Sequence, residues 1–158
     1  MAKRLAAMGL AAVAVGCTST RTYTLSVKNA TARPLTVCLT KVHGPAEPGW
    51  ESPEQVAGPG YPSENEQAPG AVIQPGHVGG EGPIPGEFYV SGDGAVLRVY
   101  AGTPTLNQMN AMSPGSLDRL DVHLHEGLNA MVISDGNDGR MHVAPAAEAA
   151  PTTRPTGG

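Results

Sequence analysis

The sequence predicts an all-β fold: a single antiparallel β-sandwich of about 7–8 short strands. Three observations lead there: stretches in which apolar and polar residues alternate, turn-forming clusters between them, and 21 glycines with 15 prolines in 158 residues. Period-two alternation marks a strand with one buried face. So much Gly and Pro suits closely spaced turns better than long helices.

The first such stretch is TYTLSVKN (Thr22–Asn29), where Tyr23, Leu25 and Val27 alternate with Thr24, Ser26 and Lys28. After the turn cluster NATARP, LTVCLTKV places Leu35, Val37 and Leu39 on one face and Thr36, Cys38 and Thr40 on the other. Two alternating strands joined by a turn predict an antiparallel hairpin. From Gly44 to Gly86 the composition changes, with 19 of 43 residues Gly or Pro, which predicts a long exposed excursion inserted into the domain. Within it, SPEQVA offers Ser52 as a helix cap and Pro53 at the first helical position, enough for one or two turns. GAVIQPG (70–76) reads as a short edge strand.

Regular pattern resumes in GEFYVSGDGAVLRVYAG, where strands at 87–91 and 95–100 flank Gly92-Asp93-Gly94, a favourable hairpin turn. TPTLNQMNAMSPGS puts Leu106, Met109 and Met112 on one helical face, with Pro114-Gly115 as the stop. A two-residue loop at Glu126-Gly127 would set Val122 opposite Met131 and Leu120 opposite Ile133, so that register and core pattern agree. NDGRMHVAP supplies the last strand, and APAAEAAPTTRPTGG from Ala144 has too little apolar bulk to pack, so residues 144–158 read as a disordered tail. These limits place the sandwich domain at 22–143.

The N-terminus reads differently. MAKR is followed by LAAMGLAAVAVG, an uncharged run ending at Gly16. A bilayer core about 30 Å thick needs about 20 apolar helical residues, so this run is a signal-peptide h-region by length and flanks. AVGC (Ala14–Cys17) resembles the lipobox of bacterial lipoproteins, with Ala14 where leucine is usual. The resemblance implies removal of residues 1–16 as a signal peptide and attachment of lipid, acyl chains of the palmitate type, to Cys17. Two or more acyl chains anchor firmly, whereas one anchors marginally. Thr18, in place of the aspartate that usually retains such proteins at the inner membrane, implies the outer membrane, facing the periplasm or the cell surface, where the host has one. Residues 17–21 would then be a short tether. The strand pattern is also similar to that of small immunoglobulin-like envelope lipoproteins of unknown function, although the Cys…Trp…Cys core of antibody domains is absent.

Lys3 and Arg4 belong to the signal segment, so from Cys17 onward eight basic residues face fourteen acidic ones, a net charge of −6. That balance excludes nucleic acid as a partner and disfavours electrostatic binding to anionic headgroups. With Cys17 acylated, Cys38 has no disulfide partner.

His123 and His125 are the sharpest candidates for chemistry. On a strand, residues i and i+2 share a face, so two imidazoles could chelate a metal ion there, with Cys38, His43, His77, Met141 and His142 as further donors elsewhere. A periplasmic copper- or zinc-binding or delivery protein is therefore the alternative reading. The core stripe Leu120, Val122 and Leu124 puts both histidines on the outer face, where two solvated side chains are the plainer account. DGNDG (135–139) mimics a calcium loop, but Gly139 and Ala146 stand where oxygen donors are required, so it reads as a hairpin turn. YVSGDG around Ser91 is not a nucleophile elbow. Glu64 and Glu66 lie where nothing would hold two carboxylates at a catalytic separation. NAT at Asn29 matches a glycosylation acceptor but sits at a strand-end turn.

No catalytic set emerges, and no cofactor is implied beyond the covalent lipid. The expected function is a non-catalytic, membrane-anchored envelope lipoprotein, a structural or interaction module for a protein or cell-wall partner. Trp50 and Tyr61, rigid aromatics among prolines, are the expected contact residues.

Overall fold

In the computed structural model, which describes residues 18–45, 47–57, 70–89 and 94–146, two four-stranded sheets form a β-sandwich. In chain order the elements are β1 (Thr18–Asn29), β2 (Leu35–Lys41), α1 (Pro53–Val56), β3 (Ala71–Ile73), β4 (Val78–Tyr89), β5 (Ala95–Ala101), α2 (Leu106–Ala111), β6 (Arg119–His123), β7 (Gly127–Asp135) and β8 (Met141–Pro145). The first sheet runs β4-β1-β7-β8 and the second β3-β2-β5-β6. The signal segment, Cys17, Tyr61, Glu64, Glu66, Ser91 and the tail from 147 lie outside the described residues.

The sandwich is not wholly antiparallel. β1 and β7 pair in parallel from Tyr23 opposite Gly127 to Asn29 opposite Ile133, while the other pairs are antiparallel. Parallel neighbours need a long crossover, and the chain between β1 and β7 supplies one by building the whole second sheet on the way.

The three hairpins expected from local alternation are corrected by the pairing. β1 and β2, β4 and β5, and β6 and β7 each lie in opposite sheets, and the connections at 30–34 and 124–126 arch across the sandwich. Alternation reports which face of a strand is buried, and an arch buries the same face as a hairpin. Leu120 and Val122 therefore share a core with Met131 and Ile133 without being their strand partners. The turn after β7 is a true hairpin: Gly136 N–H donates to Arg140 O at 2.7 Å, and β8 returns beside β7.

The domain limits also move. Thr18–Arg21, expected as a tether, already pair with Tyr89–Gly86, and β8 runs on to Pro145. Within 44–86 the short helix α1, capped by Ser52, and the edge strand β3 stand where the sequence put them, but the stretch is no simple excursion, because it also holds most of β4. β4, VGGEGPIPGEFY, reads as loop because of Pro83 and Pro85, yet prolines are tolerated on an edge strand whose free N–H side needs no partner. Its glycines answer to close approach: a Cβ on Gly80 would lie 2.8 Å from Leu25 O, and one on Gly86 would lie 2.6 Å from the Trp50 ring.

Tyr23, Leu25, Val27, Leu35, Leu39, Phe88, Leu97, Val99, Met131 and Ile133 fill the space between the sheets. The outer face of β2 is covered as well. Thr36, Cys38 and Thr40 are all buried, because α2 lays Met109, with Met112 beside it, against Cys38 and Tyr100. Both helices begin with a reciprocal capping box, Ser52 with Gln55 and Thr105 with Gln108, which satisfies two orphan N–H groups at each start. Glu54 on α1 accepts from Arg98 Nη1 at 2.6 and 2.8 Å, pinning the short helix to β5. Arg119, buried on β6, forks onto Asp121 at 2.9 and 2.8 Å and donates to Met112 O at 2.8 Å, which ties the end of α2 to the same face.

Candidate functional site

Along one side the sheets meet only at one end, where Ile73 packs against Gly79. β3 covers only Leu35–Val37 of the edge of β2, and the opposing edge of the first sheet is the glycine-rich β4. Between them opens a cleft of about 490 Å³, a size within the usual range for small-molecule sites. Its walls are aliphatic, with Leu25 and Val27 on one side, Val37, Leu39 and Ile73 on the other, and Leu97 also lining it.

Two carboxylates line the same cleft. Glu81 pairs with Leu25 across the β4–β1 ladder, and directly opposed residues share a face, so its side chain follows Leu25 toward the inside of the sandwich. Glu51, half-buried on the segment that runs past the lower end of the cleft, accepts from Gly49 N–H at 2.7 Å. Neither carboxylate forms an ion pair among the described residues. Gly70 and Gly79 complete the lining without side chains. A Cβ on Gly79 would meet Ile73 at 2.7 Å and one on Gly70 would meet Val37 O at 2.2 Å, so strand packing already requires glycine at both.

Below the cleft the chain closes over an aromatic group. Trp50, expected as a surface anchor, is a core residue with 4% of its surface exposed. It packs edge-on against Tyr23 and Phe88, with ring centroids 5.6 and 5.3 Å away, and its indole Nε1–H donates to Pro85 O at 3.0 Å. Its burial is possible because Gly86 leaves the ring room. Lys41 stands over the Trp50 and Phe88 rings at 5.3 and 5.0 Å, and its ammonium is spent on Glu47, Pro45 O and Glu87 O. Burial raises the Glu47 carboxyl, but the bonds from Lys41 and the Glu87 N–H outweigh it and hold the group below the ordinary carboxylate range.

The histidine pair is exposed. β6 ends at His123, and His125 lies in the arch beyond, where Nδ1 is 3.0 Å from Glu126 O. The other donors are dispersed: Met141 is buried between the sheets, His142 meets Asp138 at 3.1 Å, and Cys38 is enclosed under α2. Among the described residues no group of three His, Cys, Asp or Glu side chains is placed to hold a metal ion. Burial pushes the Cys38 thiol up to about 12, far from thiolate reactivity at neutral pH.

Two asparagines that sequence reasoning passed over or read as a plain turn secure the arches. Asn29, fully buried, donates to Arg33 O and Ile73 O at 2.8 Å each and accepts from Thr31 N–H and Oγ1 at 2.9 and 2.8 Å. Asn129 does the same for the β6–β7 arch, accepting from His125 N–H at 3.1 Å and donating to His125 O and Gly127 O. The signal was present: each falls in phase with core residues, Asn29 after Tyr23, Leu25 and Val27, and Asn129 before Met131 and Ile133. A buried amide must find partners, and here those partners are the turns.

No family model matches the chain, and neither a curated protein nor a solved structure matches it.

Proposed function

We propose that this chain is a lipid-anchored, non-catalytic module of the bacterial cell envelope. Acyl chains on Cys17 hold it at the membrane, and the sandwich serves contact with a protein or cell-wall partner. The observation that carries the reading is the junction between signal and fold. β1 begins at Thr18 and pairs with Tyr89 from that first residue, so the lipidation-type cysteine abuts the domain. Cleavage after Gly16 would keep every residue of the ladder from Thr18 onward, with only Cys17 ahead of it.

The side-chain inventory supports a non-catalytic role. Three of the buried or half-buried basic residues are paired with acids in the service of loops and helices: Lys41 with Glu47, Arg98 with Glu54 and Arg119 with Asp121. No helix among the described residues is long and apolar enough to cross a membrane. The outer membrane is the proposed destination where the host has one, because Thr18 follows the cysteine.

Expression in a bacterial host with an alkyne analogue of palmitate decides the matter. The wild-type protein should take up the label and sediment with membranes, and Cys17→Ser should do neither. Label retained by Cys17→Ser, or a mature N-terminus found by mass spectrometry at any other residue, would sink the proposal.

A further inference from the structure

We infer that the cleft between β3 and β4 is a binding site for a small amphiphile, an apolar chain ending in a cationic head. The cleft is independent of the lipid anchor, and its shape is the first ground for the assignment. A sandwich normally closes its side by bringing edge strands together, and here the three-residue β3 meets β4 only where Ile73 packs on Gly79, while the edge of β2 beyond Val37 has no strand beside it among the described residues. About 490 Å³ bounded by Leu25, Val27, Val37, Leu39 and Ile73 favours an aliphatic body over a polar one.

Charge then selects the head group. Glu51 and Glu81 line the same cleft, neither is paired with a cation among the described residues, and Glu81 is exposed. An ammonium or guanidinium entering the cleft would meet carboxylate on its lining, Glu81 exposed and Glu51 half-buried, whereas a sulfate or carboxylate head would be repelled. Both preferences follow from one geometry: an apolar trough with acid on its lining.

The test uses purified Cys17→Ser protein, so that its outcome does not depend on acylation. Binding is followed by the fluorescence of N-phenyl-1-naphthylamine, a neutral apolar probe. Displacement is then compared between decyltrimethylammonium and decyl sulfate, both below micelle formation. The probe should bind saturably, and the cationic amphiphile should displace it about tenfold more effectively than the anionic one, as two partly exposed charge contacts would give. Ala71→Phe, at an exposed position on the cleft wall, should abolish probe binding while the thermal midpoint stays close to that of the parent. Glu51→Gln with Glu81→Gln should keep probe binding and erase the preference between head groups. Absence of saturable binding overturns the inference, as does an anionic preference or indifference to Ala71→Phe. An inward-facing charge on an edge strand can also serve only to prevent sheet-to-sheet association. If Glu81→Gln makes the protein self-associate and leaves the head-group preference intact, Glu81 guards the edge and the inference fails.

Discussion

Trp50 is the residue for which a surface role and a core role make opposite predictions. Truncation to alanine removes an indole that is 4% exposed, two edge-on aromatic contacts, the bond to Pro85 O and the ring beneath the Lys41 ammonium. Large-to-small changes of buried aromatics cost about 3–5 kcal/mol, and Gly86, having no side chain, cannot fill the space left behind. With a urea dependence of about 2 kcal/mol per molar for a domain of this size, the midpoint should fall by about 2 M. Trp50→Phe keeps most of the area but loses the indole bond, so a loss of about 1–2 kcal/mol is expected. Circular dichroism in urea measures all three proteins. Because Trp50 is the only tryptophan, wild-type fluorescence gives a second readout: blue-shifted emission in the native state and a red shift on unfolding. A Trp50→Ala midpoint within about 0.3 M of wild type would refute the core assignment, as would native emission at the wavelength of solvated indole.

Other residues yield shorter tests. Asn29→Ala leaves Thr31 and two carbonyls without their partner inside the fold, and about 2–3 kcal/mol should be lost in the same denaturation assay. In Cys17→Ser, whose only remaining thiol is Cys38, a pKa near 12 against an ordinary value of 9.0 lowers the thiolate population at pH 8 by about three orders of magnitude. Ellman's reagent should therefore react slowly with folded protein and promptly in denaturant, and prompt reaction under native conditions would contradict burial beneath α2. Burial of Glu54 raises its carboxyl, but its own backbone N–H, Ser52 and Arg98 together hold it below its ordinary value of 4.5. A depressed carboxyl contributes stability above its unfolded pKa and loses it as pH falls through the folded value. The thermal midpoint should thus be flat from pH 7 to about 5 and fall below about 4.5, less steeply in Glu54→Gln. Equal slopes in the two proteins would remove Glu54 from the account.

The arches show what was legible in the sequence and what was not. Strand positions were readable from Tyr23, Leu25 and Val27 or Leu35, Val37 and Leu39, because alternation is imposed by burial of one face. Neighbourhood was not readable, because the same alternation is satisfied whether the next strand lies beside its predecessor or across the core. Sheets pack about 10 Å apart, a gap that the five residues from Ala30 to Pro34, or the arch at Leu124–Glu126, bridge as easily as a hairpin turn bridges two neighbours. What selects the arch is chemistry inside the turn. Asn29 and Asn129 offer amide groups that satisfy only a chain bent toward the opposite sheet, and a simple two-residue loop would leave those amides buried without partners.

The same reasoning accounts for the candidate site. Glu81 and the glycines of β4 looked like solvated loop because a half-covered edge strand needs neither apolar side chains nor donor N–H groups on its outer side. Leu25, Leu39 and Ile73 looked like ordinary core because a cleft wall and a packed interior use the same residues. A cleft arises from a mismatch between elements, a twelve-residue β4 facing a three-residue β3, and that mismatch exists only once the two strands are known to be edges on the same side. Sequence pattern describes each strand alone, and the opening belongs to the pair.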